Sequence, residues 1–154
     1  SVPSSVPWPV PSSVPSFGSS PVPSQEYTFT GEMTLKKFSE NFSNIDHQNA
    51  WIAGTRKHLG KELRKMDEKI GGTYDSVYIK INSWGGKKKT LKIQATYTYF
   101  YKYTYFDKGG NSDLVKRYMK KSFKKKKLLN KYIDILETLD GSFSDLKKTK
   151  LKLD

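Results

Sequence analysis

The feature of the sequence that most clearly suggests a binding chemistry is a group of basic side chains between Asp113 and Asp134. No acidic residue lies between these aspartates, and eight of the cations fall within residues 116–127. Like charges at helical spacing repel one another, and a polyphosphate relieves that repulsion while it releases condensed counterions. A solvated face that only aids solubility is the alternative, but such faces usually contain interspersed acids. We therefore predict a nucleic-acid-binding surface formed by Lys116, Arg117, Lys120, Lys121, Lys124, Lys125, Lys126, Lys127 and Lys131.

Two smaller groups extend this predicted surface. A glycine-containing turn after Trp84 carries three consecutive lysines, which offer a second phosphate contact: Lys87, Lys88 and Lys89. In the segment ATYTYFYKYTYFD, Phe100 and Lys102 share one face of an extended chain. A ring there can stack on a base while the cation holds a phosphate. The competing interpretation is that aromatic residues at every second position are packed strand residues.

A catalytic alternative rests on His58 and Glu62, which lie one helical turn apart and can form an acid–base pair. A basic helix followed by an antiparallel sheet is broadly similar to the architecture of small ribonuclease toxins, and this resemblance implies metal-independent RNA cleavage. No motif of that family is matched, so ribonuclease activity is a second hypothesis. His47 and His58 lie about 16 Å apart along a helix and cannot share a metal ion. We predict no metal and no cofactor.

The overall charge agrees with a polyanionic partner. The 154 residues include 28 lysines and arginines against 15 acids, for a net charge of +13. Only three of these cations are arginines, and lysine lacks the fork that reads guanine. We expect binding without sequence specificity, to RNA slightly more than to DNA, within an assembly such as a ribonucleoprotein particle or virion. A membrane surface is disfavoured, because the apolar side of the basic helix is needed for a small core.

The first residues differ in composition from the rest of the chain. All seven prolines lie within residues 1–23, and each removes a backbone donor. Residues 1–25 are therefore expected to be an extended or disordered arm. Trp8 and Phe17 favour docking to another protein or to a sister subunit. A third hypothesis is a structural oligomer, which would assemble without nucleic acid and fail to assemble without residues 1–24. No signal peptide or membrane span is visible, and the compartment is not predicted.

The elements that must position these residues form one α+β domain over residues 26–140. Alternating apolar residues predict an antiparallel sheet built around two long strands. Apolar residues at helical spacing predict two long helices that cover it, near 44–70 and 112–139. Thr34 is expected to cap a brief helix that follows the first strand. Residues 141–154 are expected to be a basic extension, as a short helix or a frayed end.

The tyrosines of the long strand alternate in phase with Leu91 and Ile93, on the face expected to meet the helices. No Gly, Pro, Asn or Asp interrupts residues 90–106, which predicts one long, curled strand. A bulge within it would reverse the faces and expose some of the rings. We predict that most of this ladder is inner wall and that only its far end is exposed: Tyr97, Tyr99, Tyr101, Tyr103 and Tyr105.

Overall fold

The structure of the chain is a computed structural model, which describes residues 24–38, 40–87, 89–102, 112–146 and 148–153. In these residues, four antiparallel strands form a sheet, and helices connect several of them. The predicted α+β class is confirmed. In chain order, the elements are β1 (Ser24–Lys36), α1 (Ile45–Arg64), α2 (Asp67–Ile70), β2 (Thr73–Gly85), β3 (Thr90–Lys102), α3 (Ser112–Lys124), α4 (Lys126–Leu139), a 3-10 turn (Gly141–Phe143) and β4 (Lys148–Leu153). The predicted N-terminal arm lies outside these residues, except for its last two positions, which belong to β1.

The sheet has the strand order β2-β3-β1-β4, and each neighbouring pair is antiparallel. The helices pack on one face. Helix α1 covers β2, α3 covers β4 and β1, and α4 packs against α1 and α3. Residues of β1 and β3 that alternate along each strand share this inner face, so that Leu35 pairs with Leu91 and Met33 with Ile93, all of them buried. The core therefore lies between the sheet and the helix layer.

The tyrosines of β3 form part of the inner wall. Tyr97, Tyr99 and Tyr101 are each 0% exposed, as the alternation predicts. The two register shifts of the sheet fall between β2 and β3, and in β3 every second residue from Leu91 to Tyr101 is buried without interruption. The faces of β3 are therefore not reversed within its described length. Tyr103 and Tyr105, with the expected end of the strand at Phe106, lie outside the described residues.

Helix α1 has the position expected for the first long helix, although it ends earlier. Asn44 caps its first turn by accepting a hydrogen bond from the Asp46 amide at 2.9 Å. The helix ends at Arg64, and the short α2 follows it, closed by Gly71 at φ 87° in the left-handed region that suits glycine. Gly54 allows α4 to approach closely, because a Cβ at this position would lie 2.6 Å from Leu136 Cδ2.

The single helix predicted at 112–139 is two helices, which is a correction. The chain leaves the helical conformation at Lys125, with φ −70° and ψ 131°. The buried stripe of α3 includes Met119 and Phe123, and one more turn would bring the charged Lys126 and Lys127 to the same side. Lysine is almost never fully buried without a partner, so a continuous helix would place charge in the core. The break lets α4 present its own apolar side to α1.

Two further expectations are wrong. Thr34 does not cap a helix, because β1 continues to Lys36 and pairs with strands on both sides. The basic extension expected from residue 141 onward is not a short helix or a frayed end. Residues 148–153 form β4, which completes the sheet beside β1, and Phe143, Leu146 and Leu153 are buried. This part of the chain therefore belongs to the α+β domain.

Candidate nucleic-acid interface

The predicted basic residues of α3 and α4 surround the break between the two helices. Lys116 is half-buried, and the remaining eight cations are exposed. Within the described part of the chain, no carboxylate forms an ion pair with Arg117 or with the lysines from Lys120 to Lys131. The ammonium of Lys121 lies 5.6 Å from the centre of the Tyr118 ring. Arg117 and the lysines from Lys120 to Lys131 therefore keep their positive charge without an ion pair among the described residues.

The end of α3 is fixed by a hydrogen bond from the core. The last carbonyls of a helix lack intrahelical donors, and the Ser122 carbonyl accepts one at 2.7 Å from Nε2 of His58. The His58 ring also packs against Phe123 and Tyr132, with centroids 5.3 and 5.1 Å away. Since the acceptor is a carbonyl, Nε2 carries the proton. His58 therefore stabilises the helix break from the core side.

The two helix termini at the break differ in electrostatics. Lys121 and Lys124 lie in the last turn of α3, where the helix dipole favours cations. The first turn of α4 holds no acidic residue, and Lys125 supplies no side-chain cap. Cations are unfavourable at that end of a helix, and its amide N–H groups also point outward. The start of α4 therefore concentrates positive potential.

A cavity of about 920 Å³, which we call the basic groove, lies between this break and the edge of the sheet. Lysines from three separate parts of the chain surround it, and no carboxylate is among the described residues that line it. Glu32 on β1 is the register partner of Lys152 on β4, yet the two side chains form no ion pair. The six lysines of the basic groove are Lys36, Lys120, Lys124, Lys126, Lys150 and Lys152.

The remaining lining of the basic groove is mostly apolar. Phe123, Leu129, Leu151 and Leu153 contribute hydrocarbon surface from α3, α4 and β4. Thr149 also lines the groove and is 7% exposed, and its buried hydroxyl has no hydrogen-bond partner among the described residues. The basic groove thus combines lysines, an apolar surface and a buried threonine hydroxyl that has no hydrogen-bond partner among the described residues.

The turn lysines lie at one end of the sheet, near the groove. The backbone amides of Lys37 and Phe38 donate to the Lys89 carbonyl at 2.8 and 3.0 Å, so the β2–β3 turn adjoins the end of β1 that carries Lys36. Lys87 and Lys89 are exposed there. Lys88 lies outside the described residues. The turn can add phosphate contacts beyond the groove but does not line it.

The predicted stacking residues are not brought together with the helix lysines. Phe100 and Lys102 lie on the sheet face opposite the helices, and Phe100 is half-buried. Lys102 pairs with Ser24 and Thr73 at the end of β3 remote from the turn, about 40 Å away for a strand of this length. Its ammonium lies 3.9 Å from an Asp75 carboxylate oxygen. These two residues therefore form no common surface with the basic groove.

The catalytic alternative receives no support from the geometry. His58 is 1% exposed and Glu62 is 8% exposed, so neither faces an RNA in solution. Burial lowers the pKa of His58, although the hydrogen bond to Ser122 and the charge of Glu62 act in the opposite direction. Glu62 lies 3.4 Å from the ammonium of Lys65. Within the described ranges, no group of three His, Cys, Asp or Glu side chains is arranged to bind a metal ion.

Three residues of the basic groove were missed by sequence reasoning: Lys36, Lys150 and Lys152. The segment KTKLKL contains the relevant signal, since its lysines alternate with Thr149, Leu151 and Leu153. Alternation of charged and apolar residues is typical of a strand, and lysines are common on edge strands because they discourage pairing with another chain. Recognition of β4 as an edge strand would have placed Lys150 and Lys152 on one face, whereas Lys36 joins them only through the pairing of β4 with β1.

Comparisons of the chain with protein-family models, with curated proteins and with solved structures found no match. No helix in the described ranges has the length and apolar character needed to cross a membrane.

Proposed function

We propose that the protein binds nucleic acid without sequence specificity, RNA slightly more than DNA, as a component of a larger assembly. The observation that carries this proposal is the basic groove, where six lysines from β1, α3, α4 and β4 converge without a lining carboxylate. Repulsion between cations opposes such convergence unless a bound polyanion compensates it. The exposed lysines of the turn and of α4 extend the same positive surface.

The recognition chemistry follows from the predominance of lysine. An ammonium group neutralises phosphate as a point charge, and displacement of condensed counterions supplies the free energy of binding. None of the six groove cations is an arginine, so the bidentate contact that reads guanine is absent from the groove lining. Affinity that depends strongly on salt and weakly on sequence is the expected behaviour.

The proposal is tested by fluorescence anisotropy with labelled RNA and DNA of equal length over a range of salt concentrations. Each phosphate of a single strand that a groove lysine neutralises adds about 0.7 to the slope of log Kd against log salt concentration, so six lysines give a slope of at most about 4. This slope corresponds to a loss of affinity of about 300-fold for a fourfold rise in salt. A molar excess of protein over a long RNA is also expected to yield particles larger than the one-to-one complex in light scattering.

A matched pair of variants localises the contacts. Lys124→Gln with Lys126→Gln removes two charges from the basic groove, and Lys57→Gln with Lys69→Gln removes two exposed charges outside it. The groove pair is expected to lower the slope by about 1.4, while the control pair leaves it nearly unchanged. Absence of binding at low salt, or affinity that does not depend on salt, would contradict the proposal. Degraded RNA in the recovered samples would instead favour the ribonuclease.

A further inference from the structure

On the basis of the function proposed above, we infer that the basic groove is a binding site for one nucleotide of a single strand, which we call the nucleotide seat. Its phosphate binds at the first turn of α4, and its base lies on the apolar lining of the groove. The groove would then select single-stranded nucleic acid, which a flat basic surface cannot do.

The phosphate position follows from the start of α4. The first amides of a helix have no intrahelical acceptor, and Lys125 provides no side-chain cap for them. Helix α4 has 14 residues, so its dipole adds to the charge of Lys124 and Lys126 beside these amides. A phosphate at this point receives backbone N–H donors and ammonium groups together, which is the arrangement used by helix N-terminal anion sites.

Thr149 gives an independent sign of a missing polar partner. Its side chain is more than nine-tenths buried, it lines the groove, and its hydroxyl finds no partner among the described residues. A buried hydroxyl without a hydrogen bond lowers stability, since its interaction with water is lost and not replaced. Its oxygen is closed to water in this structure, so a sugar hydroxyl, phosphate oxygen or base edge in the groove can supply that bond only after a small shift of the neighbouring side chains.

The apolar lining distinguishes a single strand from a duplex. A duplex presents phosphates and groove edges, whereas a single strand has unpaired bases that can leave water for apolar surface. Leu129 and Leu151 are half-buried and offer such surface between the two rows of lysines. A volume of about 920 Å³ falls within the range of small-ligand sites and is much too small for a double helix.

The distribution of charge argues against an anionic lipid as the occupant. Lys120, Lys124 and Lys126 lie on the helices, whereas Lys36, Lys150 and Lys152 alternate with inner-face residues of β1 and β4 and border the groove from the other face of the sheet at its edge. A fatty acid carries one negative charge at one end and would leave most of these cations without a partner. A nucleic acid strand carries a phosphate on every nucleotide and can meet both rows as it passes through.

The test compares a labelled oligouridylate with a duplex RNA of the same length, both bound to the full chain. Asn130→Trp places a bulky ring at an exposed position on the groove lining without a change of charge, and Asn49→Trp makes the same change at an exposed position of α1. Asn130→Trp is expected to weaken single-strand binding about tenfold and duplex binding less than about twofold, since one base contact is lost. Asn49→Trp is expected to weaken neither.

A second variant keeps the test valid if the tryptophan disturbs folding. Thr149→Val preserves the volume of the side chain, and it removes only a hydroxyl that has no partner, so the thermal midpoint should stay the same or rise. Single-strand affinity should fall about threefold, with duplex affinity unchanged. Ultraviolet crosslinking of 4-thiouridine RNA should mark peptides from residues 123–130 or 149–153.

The outcomes separate the two proposals. If single strands and duplexes bind and both variants affect them equally or not at all, the nucleotide seat is refuted while nucleic-acid binding stands. If neither nucleic acid binds at low salt, both proposals fail. If oleate displaces the oligouridylate but uridine monophosphate does not, the groove is a lipid site, and the inference is likewise overturned.

Discussion

His58 provides a test of how the break between α3 and α4 is held. Its imidazole is buried and neutral, and its Nε2–H donates to the Ser122 carbonyl at 2.7 Å. Burial lowers the pKa of this group from its ordinary 6.5, so the unfolded chain takes up a proton at a higher pH than the folded chain does. The contribution of His58 to stability is therefore complete above pH 6.5 and is lost as the pH falls toward the lowered folded-state pKa.

The size of the effect is limited by one proton. A single group changes the free energy of unfolding by at most about 1.4 kcal/mol per pH unit, and only between its two pKa values. The charges near the ring are Glu62 on the same helix, which favours protonation, and Lys61 and Lys131, which oppose it. His58→Gln removes the titration but can retain an amide donor near the position of Nε2, so it isolates this one proton.

The measurement is urea unfolding followed by circular dichroism between about pH 7 and pH 5. Wild type should lose more stability than His58→Gln as the pH falls below 6.5, by at most about 1 kcal/mol over the first pH unit. At neutral pH, His58→Phe should cost about 1–3 kcal/mol, because the Ser122 carbonyl is left without this donor, and His58→Gln should cost less. Equal pH dependence in wild type and His58→Gln would refute the assignment of a neutral, buried imidazole.

Two further predictions concern the core and the sheet. Thr55→Val removes the buried hydrogen bond of 2.7 Å to the Tyr132 hydroxyl and should lower the free energy of unfolding by about 1 kcal/mol. The control Thr28→Val removes an exposed hydrogen bond and should change the free energy of unfolding by less than about 0.5 kcal/mol. Equal effects of the two variants would contradict the packing described. Gly31→Ala would place a Cβ 2.4 Å from the Lys152 carbonyl oxygen, so hydrogen exchange of the β4 amides should accelerate, while Gly85→Ala, which meets no atom within 4 Å, should have no such effect. Unchanged exchange in Gly31→Ala would show that β4 does not pair with β1 at this position.

Local patterns predicted much of the fold, because they determine which face of an element is buried. The alternation through Leu91 and Ile93 placed Tyr97, Tyr99 and Tyr101 on the inner wall, where all three are buried. Helical spacing located α1 in the same way. These predictions succeed because burial repeats with the period of the element itself.

The break at Lys125 and the basic groove depend on contacts between distant parts of the chain. The spacing of apolar residues suggested one helix, and only the packing of α3 on β4 and of α4 on α1 shows why it must divide. Likewise, Lys36 and Lys150 come together because β4 pairs with the first strand. No local window of sequence contains both strands, so the groove could not be read from the lysine-rich segment alone.

The buried tyrosines of β3 also provide a spectroscopic signal of the folded state. Burial raises the pKa of Tyr97 and Tyr99 well above the ordinary 10.0 of a phenol, so these rings stay un-ionised in mild alkali while the fold is intact. Once the sheet separates from its helices, both phenols lose protons together. Phenolate absorbance should therefore rise abruptly with alkaline denaturation, and a titration without any added dye can follow the opening of the interior.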